Sequence, residues 1–272
     1  MIDWFLNAGP ITQAFLAGVF TWLCTVAGSA VVFLVKEIDA KFLAAMQGSA
    51  AGVMTAATFW SLLSPAISYA ESSDSSLPAW FPAAVGFLAG GAFLRLLDVV
   101  VPHIHLAEDH GDTDVKKTKL SRTTMLWLAV TIHNFPEGMA VGVAFAAANL
   151  GVEGASITSA IALAIGIGLQ NIPEGSALSL PLHAEGRSKS RAFNLGQSSA
   201  LIEIVGAVLG AAAVIVVRPI LPYALAFAAG AMIFVVVEEL IPESQSGDNT
   251  DVATMGFMVG FVIMMILDVA LG

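Results

Sequence analysis

The segment TIHNFPEGMAVG, residues 131–142, places His133 and Glu137 four residues apart around Pro136, inside a stretch otherwise typical of a membrane-spanning helix. The segment GLQNIPEGSALS, residues 168–179, repeats the pattern of a polar residue, Asn, any residue, Pro, Glu and Gly. Ionisable residues inside membrane spans are costly and mark functional sites. Because the whole pattern occurs twice, we expect two neighbouring helices to share one such site.

The composition around these segments is that of a membrane protein. Of 272 residues, 57% are hydrophobic and 12% are charged, and the mean hydropathy is +0.83. A helix needs about 20 apolar residues to cross the hydrocarbon core of a bilayer. The sequence therefore predicts an all-α, polytopic membrane protein that forms a single transmembrane domain over residues 1–272. Its partner is the lipid bilayer, and we expect no nucleic-acid partner. The eight predicted spans are 11–35, 43–69, 80–102, 124–148, 155–181, 192–217, 220–241 and 252–271.

Basic residues predict how these spans are oriented. Lysines and arginines collect in the first, third and fifth loops, whereas the opposite side carries only Arg218. Cytoplasmic loops of membrane proteins are enriched in such residues. We therefore expect odd-numbered loops to be cytoplasmic, both termini to be external, and the plasma (inner) membrane to be the location. Residues 103–123 would form a cytoplasmic histidine-containing loop.

A second repeat relates the two ends of the chain. The segment AAGVM at 50–54 recurs as AAGAM at 228–232, and Pro65 and Pro242 follow at similar intervals. In the predicted topology these two helices run in opposite directions. Such a repeat is typical of secondary transporters, which carry their substrate site at the interface between inverted halves. We expect spans 1–3 and 6–8 to be the inverted repeat around central spans 4 and 5.

Depth in the membrane brings the polar residues together. At 1.5 Å of rise per residue, residues from four predicted spans reach one layer near the middle of the bilayer. These residues are Met54, His133, Glu137, Gln170, Glu174 and Glu203. No lysine or arginine is predicted at that depth, so protons or a metal ion must compensate the carboxylates.

A metal ion accounts for the whole set of donors. His133 and Glu137 share one helix face, as do Gln170 and Glu174, because residues four apart are neighbours on a helix. Imidazole, carboxylate and amide donors suit Zn²⁺, Fe²⁺ or Mn²⁺, and they suffice for two adjacent ions. The alternative involves no metal ion. The prolines would loosen two helices, polar groups would satisfy the carbonyls that are freed, and protonated glutamates would form hydrogen bonds from one helix to the other.

The motifs HNFPEG and QNIPEG, on the fourth and fifth of eight spans, resemble those of Zrt/Irt-like (ZIP) divalent-metal transporters, particularly the prokaryotic branch. The resemblance implies metal influx through an intramembrane site that can hold two ions, and a homodimer. It implies Zn²⁺ as the first substrate, with Fe²⁺, Mn²⁺ or Cd²⁺ as others, and no organic cofactor. The metal-binding roles that it implies fall on His133, Asn134, Glu137, Gln170, Asn171, Glu174 and Glu203, with Met54 as a soft contact.

Two further groups of residues are predicted along the route of the ion. On the cytoplasmic side, the ends of spans three and seven carry a set that can pass the ion onward: Asp98, His103, His105, Glu238 and Glu239. The internal repeat aligns Ser61 with Glu239, which places Ser61 near the outer entrance. For Asp268, in the last span, a dimer contact, a gate and a hydrogen-bond donor remain open.

Alternative functions differ in direction and chemistry. Ligands do not encode direction, so a metal exporter and a proton-coupled solute carrier remain possible readings of the same residues. The alternative outside the transporters is an enzyme, namely an intramembrane metalloenzyme. The chain lacks the HExxH arrangement of two histidines and a glutamate that metalloproteases carry, and this favours a transporter over an enzyme.

Overall fold

A computed structural model describes residues 2–34, 39–73, 77–100 and 122–271, and every regular element in these ranges is helical. The predicted all-α class is therefore confirmed. After a short helix at Ile2–Leu6, the described residues form eight long helical segments, here named α1 to α8. Their bounds are α1, Pro10–Ser29 continued by Val31–Leu34; α2, Ala40–Ala57, Thr58–Leu63 and Ser64–Ser72; α3, Trp80–Val100; α4, Arg122–Asn149; α5, Ile157–Ala184; α6, Lys189–Ser199 and Leu201–Val216; α7, Leu221–Val235, Val236–Leu240 and Ile241–Ser244; and α8, Thr250–Leu271.

Six of the segments are long and apolar enough to cross a membrane. They span Pro10–Leu34, Ala40–Ser72, Trp80–Leu97, Lys189–Val216, Leu221–Ser244 and Thr250–Ala270. This finding confirms a membrane protein. The other two segments, α4 and α5, have 28 residues each and are long enough to cross, but they carry the polar motifs, which lower their hydropathy. The count of eight spans therefore stays a prediction.

Helix starts follow ordinary capping chemistry. At the start of α5, Ser156 and Ser159 exchange side-chain and backbone hydrogen bonds in a capping box. Asp39 accepts a 3.0 Å bond from the Phe42 amide at the start of α2. Such caps satisfy amides that have no partner within the helix. They fix where α2 and α5 begin, and the observed helix ends lie within about one turn of the predicted ones.

The departures from α-helical geometry do not lie at the prolines of the two motifs. Helices α4 and α5 continue without interruption through Pro136 and Pro173. Instead, π-helical turns occupy Thr58–Leu63 in α2 and Val236–Leu240 in α7. Each turn lies just before the proline of the second repeat, Pro65 or Pro242. A proline ring clashes with the carbonyl four residues back, and a π-helical turn is one local adjustment that accommodates it.

Glycine allows the helices to pair at backbone distance. Helix α2 packs along α8, and helix α7 packs along α3. A Cβ atom at Gly52 of α2 would collide with the Phe257 carbonyl of α8, and one at Gly230 of α7 would collide with the Phe87 carbonyl of α3. Small residues at such contacts are typical of membrane helices, which associate by close packing. The repeated segments AAGVM and AAGAM therefore have the same role in two helix pairs.

The remaining four helices form the centre of the bundle. Helix α4 packs along α6, helix α5 packs along α1, and α1 also contacts α6 and α4. The buried core is rich in alanine, with Ala51, Ala140, Ala207 and Ala229 all fully buried. Such small side chains bring the middle of α4 and α5 close to α2 and α7, where the polar motifs lie.

Candidate metal site

A cavity of about 100 Å³ lies between α2, α4, α5 and α7. Its lining contains four carboxylates and one imidazole, and among the described residues it contains no lysine or arginine. The lining residues are Gln47, Ala50, Val130, His133, Glu137, Gln170, Pro173, Glu174, Ala177, Leu178, Val235, Glu239, Leu240 and Glu243. With that charge, the cavity suits a cation.

The cavity brings the first motif into contact with α7. His133 Nδ1 lies 2.8 Å from Oε2 of Glu239, and only 7% of the histidine side chain is exposed. Glu239 belongs to the π-helical turn of α7, so this turn directs its carboxylate toward α4. The sequence placed Glu239 on the exit route, and the structure places it beside His133 at one wall of the cavity.

The two motifs meet through a second contact. Gln170 Nε2 donates a 2.7 Å hydrogen bond to Oε1 of Glu137. The residues are 4% and 3% exposed, and Oε2 of Glu137 and Oε1 of Gln170 have no hydrogen-bond partner. Buried polar atoms are nearly always paired. Two unpaired oxygens in one cavity are therefore available to coordinate a cation.

A neighbouring polar cluster lies between α5, α6 and α1. Asn171 Nδ2 is 2.9 Å from both carboxylate oxygens of Glu203 and 3.2 Å from the Thr21 carbonyl oxygen. Asn171 and Glu203 are fully buried, and Oδ1 of Asn171 has no partner. Neither residue lines the cavity. The predicted set is thus divided between the cavity and this second cluster.

The other predicted ligands take different positions. Glu174 lines the cavity and is half-buried. Asn134 is fully buried, and neither atom of its amide has a hydrogen-bond partner. Met54 is fully buried in the hydrophobic core and does not line the cavity.

The predicted pathway residues are less completely placed. Glu238 is exposed and does not line the cavity. Ser61 is 7% exposed, and its hydroxyl donates a 2.6 Å hydrogen bond to Oδ1 of Asp268. Asp268 accepts this bond rather than donating it, and the dimer-contact, gate and donor readings of Asp268 stay predictions. The Asp98 side chain, His103 and His105 lie outside the residues that the structure describes.

Sequence reasoning missed two polar residues of the cavity, Gln47 and Glu243. Gln47 lies in an alanine-rich part of α2, where a lone amide gives no metal-binding signal. Glu243 follows residue 241, where the seventh span was predicted to end, and so was assigned to a loop. Its spacing of four residues from Glu239 is the signal that could have placed it on the same helix face.

Among the described residues, no three histidine, cysteine, aspartate or glutamate side chains converge closely enough to hold a metal ion. The polar side chains instead meet in pairs: the His133 imidazole contacts the Glu239 carboxylate, and the carboxylates of Glu137 and Glu203 contact the amides of Gln170 and Asn171. The arrangement matches a site that binds an ion transiently better than a closed structural metal site, in which the ligands surround the ion.

These features define a class: a helical membrane protein with a buried, acidic, mixed-ligand cavity among its central helices. Residues 102–268 match the family described as ZIP zinc transporter. Human zinc transporter ZIP11 is 40% identical over 96% of this chain and 98% of its own length. Zinc transporter GufA of Myxococcus xanthus is 38% identical over 98% and 100%, and zinc transporter ZIPB of Bordetella bronchiseptica is 37% identical over 98% and 84%.

The chain belongs to the ZIP zinc transporter family. The family resemblance of the two motifs is thereby confirmed, and its relatives include animal as well as bacterial proteins. Members of this family are transporters and not enzymes, so the transporter reading is confirmed over the metalloenzyme reading.

Proposed function

We propose that this protein transports Zn²⁺ across the membrane into the cytoplasm through the cavity between α2, α4, α5 and α7. The observation that carries the proposal is the pair of unpartnered oxygens, Oε2 of Glu137 and Oε1 of Gln170, in a cavity with no lysine or arginine among its described lining. Borderline divalent ions accept oxygen and nitrogen donors together. Fe²⁺, Mn²⁺ and Cd²⁺ are therefore further substrates in the proposal.

The proposed ligands form two adjacent groups. His133, Glu137, Gln170 and Glu174 would hold one ion in the cavity. Asn134, Asn171 and Glu203 would hold a second ion beside it, with Met54 as an outer contact. The separation of the Asn171–Glu203 cluster from the cavity supports two ions rather than one larger site.

In this proposal residues 1–272 form a single domain with eight membrane spans. Both termini are external and the odd-numbered loops are cytoplasmic. The protein is a homodimer in the plasma membrane. An inverted repeat of α1–α3 and α6–α8 is supported by two matched features. The first is the pairing of α2 with α8 and of α7 with α3, and the second is the π-helical turn before each repeated proline. The histidine-containing loop, 103–123, would face the cytoplasm.

Inward movement needs no second energy source in this arrangement. Moving one charge down a membrane potential of 100 mV yields about 2.3 kcal/mol, so a divalent ion gains about 4.6 kcal/mol. In the proposed route the ion passes Ser61 on the outer side. It leaves past Glu239, together with Glu238, Asp98, His103 and His105 at the cytoplasmic ends of α7 and α3.

Purified protein in liposomes loaded with a zinc-sensitive dye tests this function. We expect saturable zinc entry that His133→Ala and Glu174→Ala abolish. Glu153→Gln serves as the control, because Glu153 is an exposed glutamate in the loop between α4 and α5, and it should transport like the unsubstituted protein. Zinc entry that survives both cavity substitutions would refute the proposal, and zinc efflux only from loaded vesicles would indicate an exporter.

A further inference from the structure

The cavity has an acidic mouth that the two motifs do not explain. On α7, the residues that line the cavity are Val235, Glu239, Leu240 and Glu243. Glu239 lies against His133 with 35% of its side chain exposed, and Glu243, one turn further along α7, is exposed and yet still lines the cavity. A residue that is both exposed and cavity-lining marks an opening, so Glu243 lies where the cavity meets the surrounding medium.

Gln47 faces Glu243 across this opening. The end of α7, Ile241–Ser244, packs against α2, and Gln47 of α2 and Glu243 of α7 both line the cavity. Gln47 itself is 9% exposed. The mouth therefore presents a carboxylate from one helix and an amide from another. The same two kinds of donor, Glu137 and Gln170, meet inside the cavity.

We propose that Glu243, with Gln47 opposite, is a release site that receives the metal ion between the cavity and the cytoplasm. This inference rests on the proposed function and adds a step to it. The unpartnered, buried Oε2 of Glu137 at the inner end of the same cavity indicates independently that a cation enters this space.

The spacing of the carboxylates determines how the ion would move. Glu239 and Glu243 are four residues apart, which is about 6 Å along a helix. Electrostatic attraction is screened over about 8 Å at physiological ionic strength. An ion that leaves Glu239 is thus already attracted by Glu243, because the separation of the two carboxylates is smaller than the screening length. Glu243 lowers the barrier to departure without contributing to affinity at the inner ligands.

Measuring both the rate of zinc uptake and the affinity for zinc in one variant tests whether Glu243 affects the rate alone. We expect Glu243→Gln to lower the maximal rate of zinc uptake into liposomes about three- to fivefold, because a single exposed ion contact is worth up to about 1 kcal/mol. The dissociation constant of zinc for the purified protein should stay unchanged, and Glu243→Asp should recover part of the rate. Asp251→Asn is the matched control, because Asp251 is an exposed acid at the start of α8 that does not line the cavity.

Thiol protection gives a second readout that does not require transport. In a Cys24→Ser background, Glu243→Cys should react with a membrane-impermeant maleimide, and zinc should slow that reaction. Zinc should leave the reaction of Asp251→Cys unchanged. If Glu243→Gln does not fold, the comparison of zinc protection between Glu243→Cys and Asp251→Cys is sufficient to test the release site.

Three results would overturn the release site. They are an uptake rate for Glu243→Gln equal to that of the parent, a loss of zinc affinity as large as the loss of rate, and equal protection of both cysteines. An unsubstituted protein that takes up no zinc would instead refute the proposed function. The parent control therefore separates the two failures.

Discussion

Replacing Gln170 by leucine tests whether its amide belongs to the metal site. The substitution keeps the volume of the side chain similar and removes two polar groups. One is the Nε2 donor that is 2.7 Å from Glu137 Oε1, and the other is the unpartnered Oε1. Loss of a group that orients a metal ligand weakens binding about 10- to 100-fold. At about 1.4 kcal/mol per factor of ten, this change amounts to about 1.4 to 2.8 kcal/mol of zinc-binding free energy.

The measurement is a competition titration of purified protein with a zinc chelator of known affinity. Gln13→Leu is the matched control. Gln13 is also a fully buried glutamine, and its Nε2 donates a 2.9 Å bond to the Phe5 carbonyl while its Oε1 accepts a 2.7 Å bond from Asn149. It does not line the cavity, so this variant should lose thermal stability and keep its zinc affinity. The reasoning fails if Gln170→Leu binds zinc as tightly as the parent, or if both variants lose affinity equally.

Three other substitutions or conditions have definite expected outcomes. Gly52→Val should lower the melting temperature in detergent, because its Cβ meets the Phe257 carbonyl, whereas Gly9→Val, with nothing within 4 Å, should not. Ser61→Ala should destabilise the protein by about 1.5 to 3 kcal/mol if the Asp268 carboxylate is charged. Adding Asp268→Asn should then recover part of the loss in the same melting assay. Zinc uptake into liposomes should slow as the external pH falls, because protons compete with the ion for its ligands, and a flat pH profile would contradict a carboxylate site.

The sequence predicted the helices because long apolar runs have few other structures available in a membrane. It also predicted that the polar residues of α4 and α5 would meet, since equal depth on adjacent helices leaves them few other neighbours. Depth does not specify the side of a helix that faces a given neighbour. The sequence directed Asn171, one step round the helix from Gln170, toward an adjacent position, but depth alone could not separate Glu203 from the cavity that holds His133 and Glu137.

Backbone irregularity was harder to predict than helix position. The prolines of the motifs, Pro136 and Pro173, predicted local loosening of α4 and α5, and both helices run through them without interruption. The π-helical turns formed instead before Pro65 and Pro242. A proline only removes one hydrogen bond and adds one clash, and the surrounding packing decides whether the helix bends or inserts an extra residue. That packing is a property of the folded bundle.

The contacts between helices divide the protein into parts that differ in rigidity. Where Gly52 meets Phe257 or Gly142 meets Ala207, backbone lies directly on backbone, so close packing opposes sliding of the joined helices. Between α5 and the pair of α2 and α8, the neighbours of Gly166 are the side chains of Met264 and Val53, which can change rotamer. Shear between packed helices is accommodated at interfaces of this kind. Residues of α2 and α5 also line the cavity, so a small displacement at this interface would change the shape of the cavity while every helix keeps its own shape.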